Sequence, residues 1–130
     1  MATTKKLPHD HGQPIEHNFD HMPRAEDFQT VSDILRLLGD VSRIRIFWLL
    51  CHCEECVINL SSMMDMSSPA VSHHLKLLKG SGLIVSRREG KEVYYQAADT
   101  QPARQLHHMI EKLVEIACPS TENIPEKVKP

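Results

Sequence analysis

A mainly helical α+β chain with one small hairpin is what this sequence predicts, on three observations. Apolar residues recur at helical spacing through most of the stretch from about residue 24 to 117. Two of those helical patterns, near 57–64 and 67–79, are separated by little more than Asp65 and Met66, the brief turn of a helix-turn-helix. Between residues 83 and 97 the period changes, and β-branched and aromatic residues flank Gly90. The 130 residues suit one domain, and an apolar content of 41% gives a small core, so pairing of two copies is an expected source of stability.

The elements follow in chain order. Residues 1–22 hold prolines and histidines with little apolar periodicity and read as a flexible His-rich arm. Its His9, His11, His17 and His21 are candidate metal ligands, a reading that competes with a solvated tail of scattered histidines. Residues 23–118 read as the folded domain and 119–130 as a polar tail. The first helix of the domain runs from Arg24 to about Leu38, with Phe28, Val31, Ile34, Leu35 and Leu38 as its expected buried stripe. Gly39 and Asp40 interrupt it. A second, strongly apolar helix opens at Ser42, with Ile44, Phe47, Trp48 and Cys51 on one stripe, broadened by Ile46, Leu49 and Leu50. The third spans about Val57 to Met64.

Met66 to Ile84 is the stretch around which the rest is arranged. Ser67 and Ser68 offer capping hydroxyls, Pro69 suits a first helical turn, and Val71, Leu75 and Leu78 form a docking face. Ser72, His73, Lys76 and Lys79 occupy the opposite face, and Gly80 and Gly82 end the helix. As the second helix of a helix-turn-helix it is the one that enters the DNA major groove. LIVSRR and EVYYQA then form a two-stranded hairpin, placed as a wing whose Arg87, Arg88 and Lys91 reach phosphates or the minor groove. A last helix from Thr100 and Pro102 to about Ala117 presents Leu106, Ile110, Leu113 and Ala117, widened by Met109 and Ile116. With few surfaces left to cover, it is expected to pair with its own copy, together with the first helix, across a two-fold axis.

The formal net charge of −2 argues weakly against a nucleic-acid partner, but its distribution argues for one. From Ser67 to Lys91 the cations are Lys76, Lys79, Arg87, Arg88 and Lys91 against the single acid Glu89, and phosphate binding needs local positive charge. No apolar run resembles a signal peptide or a membrane span, so a cytoplasmic location is expected, in which the four cysteines stay reduced. They then read as thiols or metal ligands rather than as a disulfide framework.

LGDVSRIRIFWLL and SSPAVSHHLKLLKGSGLIVSRREGKEVYY, with Ser72-His73-His74-Leu75 and Gly82-Leu83-Ile84, resemble the ArsR/SmtB family of bacterial metal-responsive repressors over about residues 26–117. The resemblance implies a homodimeric winged helix-turn-helix with N- and C-terminal dimerisation helices, bound to operator DNA and released by an inducer. It implies DNA contacts at Ser67, Ser68, Ala70, Ser72, His73 and Lys76, with Arg87, Arg88 and Lys91 in the wing. Serine and histidine contacts are less decisive than a bidentate arginine, so the operator sequence is not legible.

The inducer is read from the ligand types. The family's Cys-Val-Cys motif is reduced here to Cys56-Val57-Ile58, but Cys51 and Cys53 stand just upstream. Three thiols within six residues suit trigonal arsenite or antimonite; with Cys118 or a histidine they suit tetrahedral zinc, cadmium or lead. Cys51 also lies on the apolar stripe, where a buried inert thiol is the plain alternative. The family's site on the last helix retains Asp99 but has Gln101, Lys112 and Glu115 at ligand positions, so that site is read as lost; His107, His108 and Glu111 remain as a different set or as solvent-facing residues. A redox or reactive-sulfur switch between Cys51 and Cys118 is the alternative inducer reading. A thiol enzyme has little support, because no nucleophile elbow, phosphate loop or acid/base pair is present. A winged helix serving only protein interaction is the remaining rival.

Overall fold

The computed structural model describes residues 7–118, with the side chains of Glu16 and His17 excepted. The expected ligand His17, the first six residues of the arm and the tail 119–130 therefore lie outside what is described. Contacts divide the chain into two units at Leu35/Arg36.

The first unit contains α1 (Ile15–Asp20) and most of α2 (Ala25–Leu37). The arm thus includes a short helix that two apolar residues in IEHNFD do not announce. Helix α2 starts on local polar contacts: the Asp27 carboxylate accepts from the Arg24 amide at 3.1 Å, and Glu26 and Asp27 lie at the positive end of the helix dipole. Its expected stripe is not buried in the chain. Phe28, Val31 and Leu35 are each about half exposed, and no residue of α2 is buried. Periodicity reports that a face is apolar; what covers that face is a tertiary matter.

The second unit holds α3 (Val41–His52), β1 (Glu55–Cys56), α4 (Val57–Met64), α5 (Ser68–Gly80), β2 (Ile84–Glu89), β3 (Glu92–Ala97) and α6 (Gln101–Ala117). Asp40 caps α3 by accepting from the Arg43 amide at 3.0 Å. The core is built from Ile46, Phe47 and Leu50 of α3, Leu60 and Met64 of α4, Val71, Leu75 and Leu78 of α5, Ile84 of β2, and Ala103 and Ile110 of α6, with Leu38 and Leu83 from the connections. The face of α3 toward the core is rotated from the expected stripe. Trp48 remains 39% exposed, and Ile44 and Cys51 are only partly covered. The indole N–H needs an acceptor, and it finds the Glu111 carboxylate at 2.8 Å near the surface.

Helix α4 ends on Asp65, whose left-handed φ of +57° turns the chain; the Met66 amide donates to the Ser61 carbonyl at 3.0 Å. Ser67 then caps α5, accepting from the Ala70 amide at 3.2 Å. Gly82, at φ +84°, closes α5, with the Leu83 amide returned to the Leu78 carbonyl at 3.2 Å. In the hairpin Glu89 pairs with Glu92, and Gly90 takes φ +64° while Lys91 does not, as in a II′ turn.

The sheet has three strands in the order β1-β3-β2, all antiparallel, rather than the two expected. Strand β1 pairs Glu55 with Tyr95 and Cys56 with Tyr94. Two residues are too short a run to show alternation in the sequence. Their effect is structural: β1 fastens the start of α4 to the wing. Thr100 caps α6 by accepting from the Ala103 amide at 3.4 Å. Beyond Ile110 the helix exposes its apolar face, with Leu113, Val114 and Ile116 uncovered. No helix among the described residues is long and apolar enough to cross a membrane.

Candidate functional site

Helix α5 stands on Val71, Leu75 and Leu78, which are at most 1% exposed, so its orientation is fixed by the core. That leaves the opposite face outward. Ser67, Ser68, Ser72, His73, Lys76 and Lys79 are exposed, and Ala70 is half-buried beside them. The Ser68 hydroxyl shares a 3.1 Å hydrogen bond with Ser61 of α4. His74 points the other way, into the joint with α3. Its Nδ1 lies 3.3 Å from Arg43, whose Nε donates to the Leu37 carbonyl at 2.7 Å. Burial holds the His74 pKa below its ordinary value against the pull of Asp40, with Arg43 and His73 adding to the lowering. Of the two adjacent histidines, one faces solvent and the other is structural.

The wing cations divide similarly. Arg87 is held by the Glu54 carboxylate through two bonds, 2.6 Å from Nε and 2.8 Å from its second nitrogen, and by Glu89 at 2.6 Å. Its guanidinium also lies 4.9 Å from the centre of the Tyr94 ring, the residue opposite it in the sheet. These bonds lower the Glu54 pKa and raise that of Arg87. Arg87 therefore braces the wing against the segment before α4 instead of projecting to a phosphate. Arg88 and Lys91 are exposed nearer the tip.

The four thiols are apart in character. Cys51 is half-buried at the end of α3, where burial, reinforced by Glu111, pushes its pKa up to about 11. Cys53 donates from Sγ to the Leu49 carbonyl at 3.3 Å, and burial followed by Glu55 raises its pKa. Cys56 is the N-cap residue of α4 without a side-chain capping bond, and Cys118 follows α6 in an exposed position. Cys51 and Cys53 line one cleft of about 350 Å³, together with His52 and His107. Among the described residues the thiols form no group of three converging ligands, in the first unit or the second.

The one such group is His52, His107 and Glu111. His107 and Glu111 are four residues apart on α6, hence on one face, and the terminal residue of α3 brings His52 to them. His52 Nε2 lies 3.1 Å from His107 Nε2 and 3.4 Å from Glu111 Oε2, and His107 Nε2 lies 3.2 Å from the same oxygen. The rings are packed in place: His52 tilts on Trp48 at 4.2 Å and meets His107 edge-on at 4.8 Å. Burial pushes the Glu111 pKa up, but the donors Trp48, His107 and His52 outweigh it and leave the carboxyl below its ordinary value. Sequence reading had the α6 members of this set but lacked His52, since nothing in one dimension places residue 52 against residue 107.

A family model described as bacterial regulatory protein, arsR family, matches residues 40–86, from the α3 cap through α5 into β2. The chain is 34% identical over 87 residues to a transcriptional repressor SmtB homolog of Synechocystis, a match covering 67% of this chain and 66% of that protein. It is 39% identical over 71 residues to the arsenical resistance operon repressor of Escherichia coli, covering 54% of this chain and 61% of that protein. The match therefore spans somewhat less than two thirds of either relative. A homodimeric winged helix-turn-helix DNA-binding domain from Mycobacterium bovis, described as a possible ArsR-family transcriptional regulator, superposes with a TM-score of 0.63 at 26% identity, over 70% of this chain and 83% of that one.

Proposed function

Since the chain belongs to the bacterial arsR family of regulatory proteins, we propose that it is a homodimeric DNA-binding repressor released from its operator by a metal or metalloid ion. One observation carries the DNA-binding part: α5 is anchored by a fully buried face and turns a hydroxyl- and cation-bearing face to solvent, next to a braced wing. Ser67, Ser68, Ala70, Ser72, His73 and Lys76 are the proposed contacts of the helix, and Arg88 and Lys91 those of the wing. Arg87 is assigned to holding the wing in position, because Glu54 and Glu89 already occupy its donors. The exposed apolar faces of α2 and α6 support pairing of two copies, which sets two α5 helices on successive major-groove faces about one helical turn apart.

Two features support an ion as inducer: a relative is named for arsenical resistance, and Cys51 and Cys53 line a single cleft with two histidines. A thiolate-bound ion such as arsenite, antimonite, cadmium, zinc or lead needs Cys56, Cys118 or another donor to join them, and such a set is not gathered within one described chain. The thiol-redox alternative is disfavoured. A Cys51 pKa of about 11 leaves only about one thiolate in ten thousand at pH 7, and the thiolate is the reactive form. Release requires the ion to favour the dimer geometry that fits DNA poorly; a coupling of about 1–3 kcal/mol, or roughly 5–150-fold in affinity, is the ordinary range.

The test is selection of bound duplexes from a random-sequence library, followed by affinity measurements with each ion under reducing conditions. Specific duplex binding that weakens in Lys76→Ala and falls when an ion is added supports the proposal. Failure to select any duplex overturns it, and binding indifferent to all of these ions overturns the inducer.

A further inference from the structure

We infer that His52, His107 and Glu111 form a metal-ion site within a single subunit, one suited to a borderline divalent ion such as zinc, cobalt(II) or nickel(II) rather than to the soft ions that thiolates select. The donor atoms carry the inference. Donors about 2.0–2.1 Å from a tetrahedral ion sit roughly 3.3 Å from one another. The three separations here are 3.1, 3.2 and 3.4 Å. Two imidazole nitrogens and a carboxylate oxygen facing one another at those distances cannot all be satisfied by one shared proton. A cation among them satisfies all three lone pairs at once, with each imidazole neutral and its proton on Nδ1.

The surroundings fit as well. Trp48 Nε1 donates to Glu111 Oε2 at 2.8 Å and orients the carboxylate, the service an outer-shell donor gives a metal ligand. His52 is held between Trp48 and His107 by ring contacts. The cleft of about 350 Å³ that His52 and His107 line admits an ion and leaves its fourth position to water. Imidazole and carboxylate donors suit zinc, nickel and copper better than arsenite, which favours thiolates.

The consequence for regulation rests on the proposed repressor function. Such an ion joins the last residue of α3, two residues before β1 and the helix-turn-helix, to α6, whose exposed far end is proposed to pair with a second copy. The ion therefore links the DNA-reading unit of a subunit to its own dimerisation helix.

The experiment titrates cobalt(II) into the metal-free, reduced full chain in the absence of DNA and follows visible d–d absorption. One cobalt per chain is expected, with no thiolate charge-transfer band, and zinc should displace it. His52→Gln, His107→Gln and Glu111→Gln should each weaken binding by about tenfold or more, and Trp48→Phe by about tenfold, while Cys51→Ser and Cys53→Ser leave it unchanged. Far-UV circular dichroism verifies that each variant is folded; the exposed His52 is the position least able to disturb the core. No cobalt uptake, unaltered uptake by the three ligand variants, or a charge-transfer band lost in the cysteine variants overturns the site. Because this titration contains no DNA, its failure leaves the repressor reading standing, and a protein that binds cobalt but selects no duplex loses that reading alone.

Discussion

The Ser67 hydroxyl accepts from the Ala70 amide at the head of α5, so the residue that starts the helix also stands at its exposed tip. Ser67→Ala should therefore cost about 1 kcal/mol of stability, read by urea unfolding, besides any loss of DNA affinity. A neighbouring cap gives a pH signature. The Arg43 amide bonded to Asp40 holds that carboxyl below its ordinary value of 3.8, outweighing the opposing effect of burial. A folded pKa below the unfolded one adds stability that is fully present above the unfolded value and lost as pH falls through the folded value. Wild type should thus lose its advantage over Asp40→Asn below about pH 4, in urea titrations run from pH 6 to 3. A constant difference across that range would contradict the cap.

At the level of elements, the wing divides its cations between bracing and reaching. Arg88→Ala and Lys91→Ala should each weaken duplex binding and each reduce the slope of log affinity against log salt by about 1. Arg87→Ala should instead lower thermal stability, because it leaves Glu54 without its bidentate partner and uncouples β2 from the segment before α4. Equal salt-slope changes for all three would return Arg87 to the DNA face. Helix α6 raises the corresponding question for its own end. Ile116 is 72% exposed beside Leu113 and Val114, in a helix otherwise seated by Ala103 and Ile110. Ile116→Glu should leave the fold intact and shift sedimentation from dimer to monomer.

For the whole molecule, two copies present two α5 helices to one duplex. Footprinting of a selected site should show two protected patches about one helical turn apart, related by an approximate palindrome. A single patch would mean that one subunit binds alone and that the exposed faces of α2 and α6 serve something else. The overall charge of −2 does not oppose this, since the cations are concentrated on α5 and the hairpin tip.

What the sequence determined by itself was the local order. Val71, Leu75 and Leu78 dictated which way α5 faces; Ser67, Thr100 and Gly82 marked where helices begin and end; and Gly90 announced the hairpin. Such signals lie within a few residues of what they control, because capping, turn conformation and helical period are short-range effects. Tertiary structure decided the rest. It turned Trp48 outward, consumed Arg87 in a bond to a residue 33 positions away, added β1 to the wing, and left the apolar faces of α2 and α6 uncovered. It also brought His52 to His107 across 55 residues while leaving the thiols ungathered. Which side chains converge on an ion depends on where packed helices end in space, and that is fixed by the burial of Phe47, Leu50, Ala103 and Ile110 rather than by the spacing of the ligands along the chain.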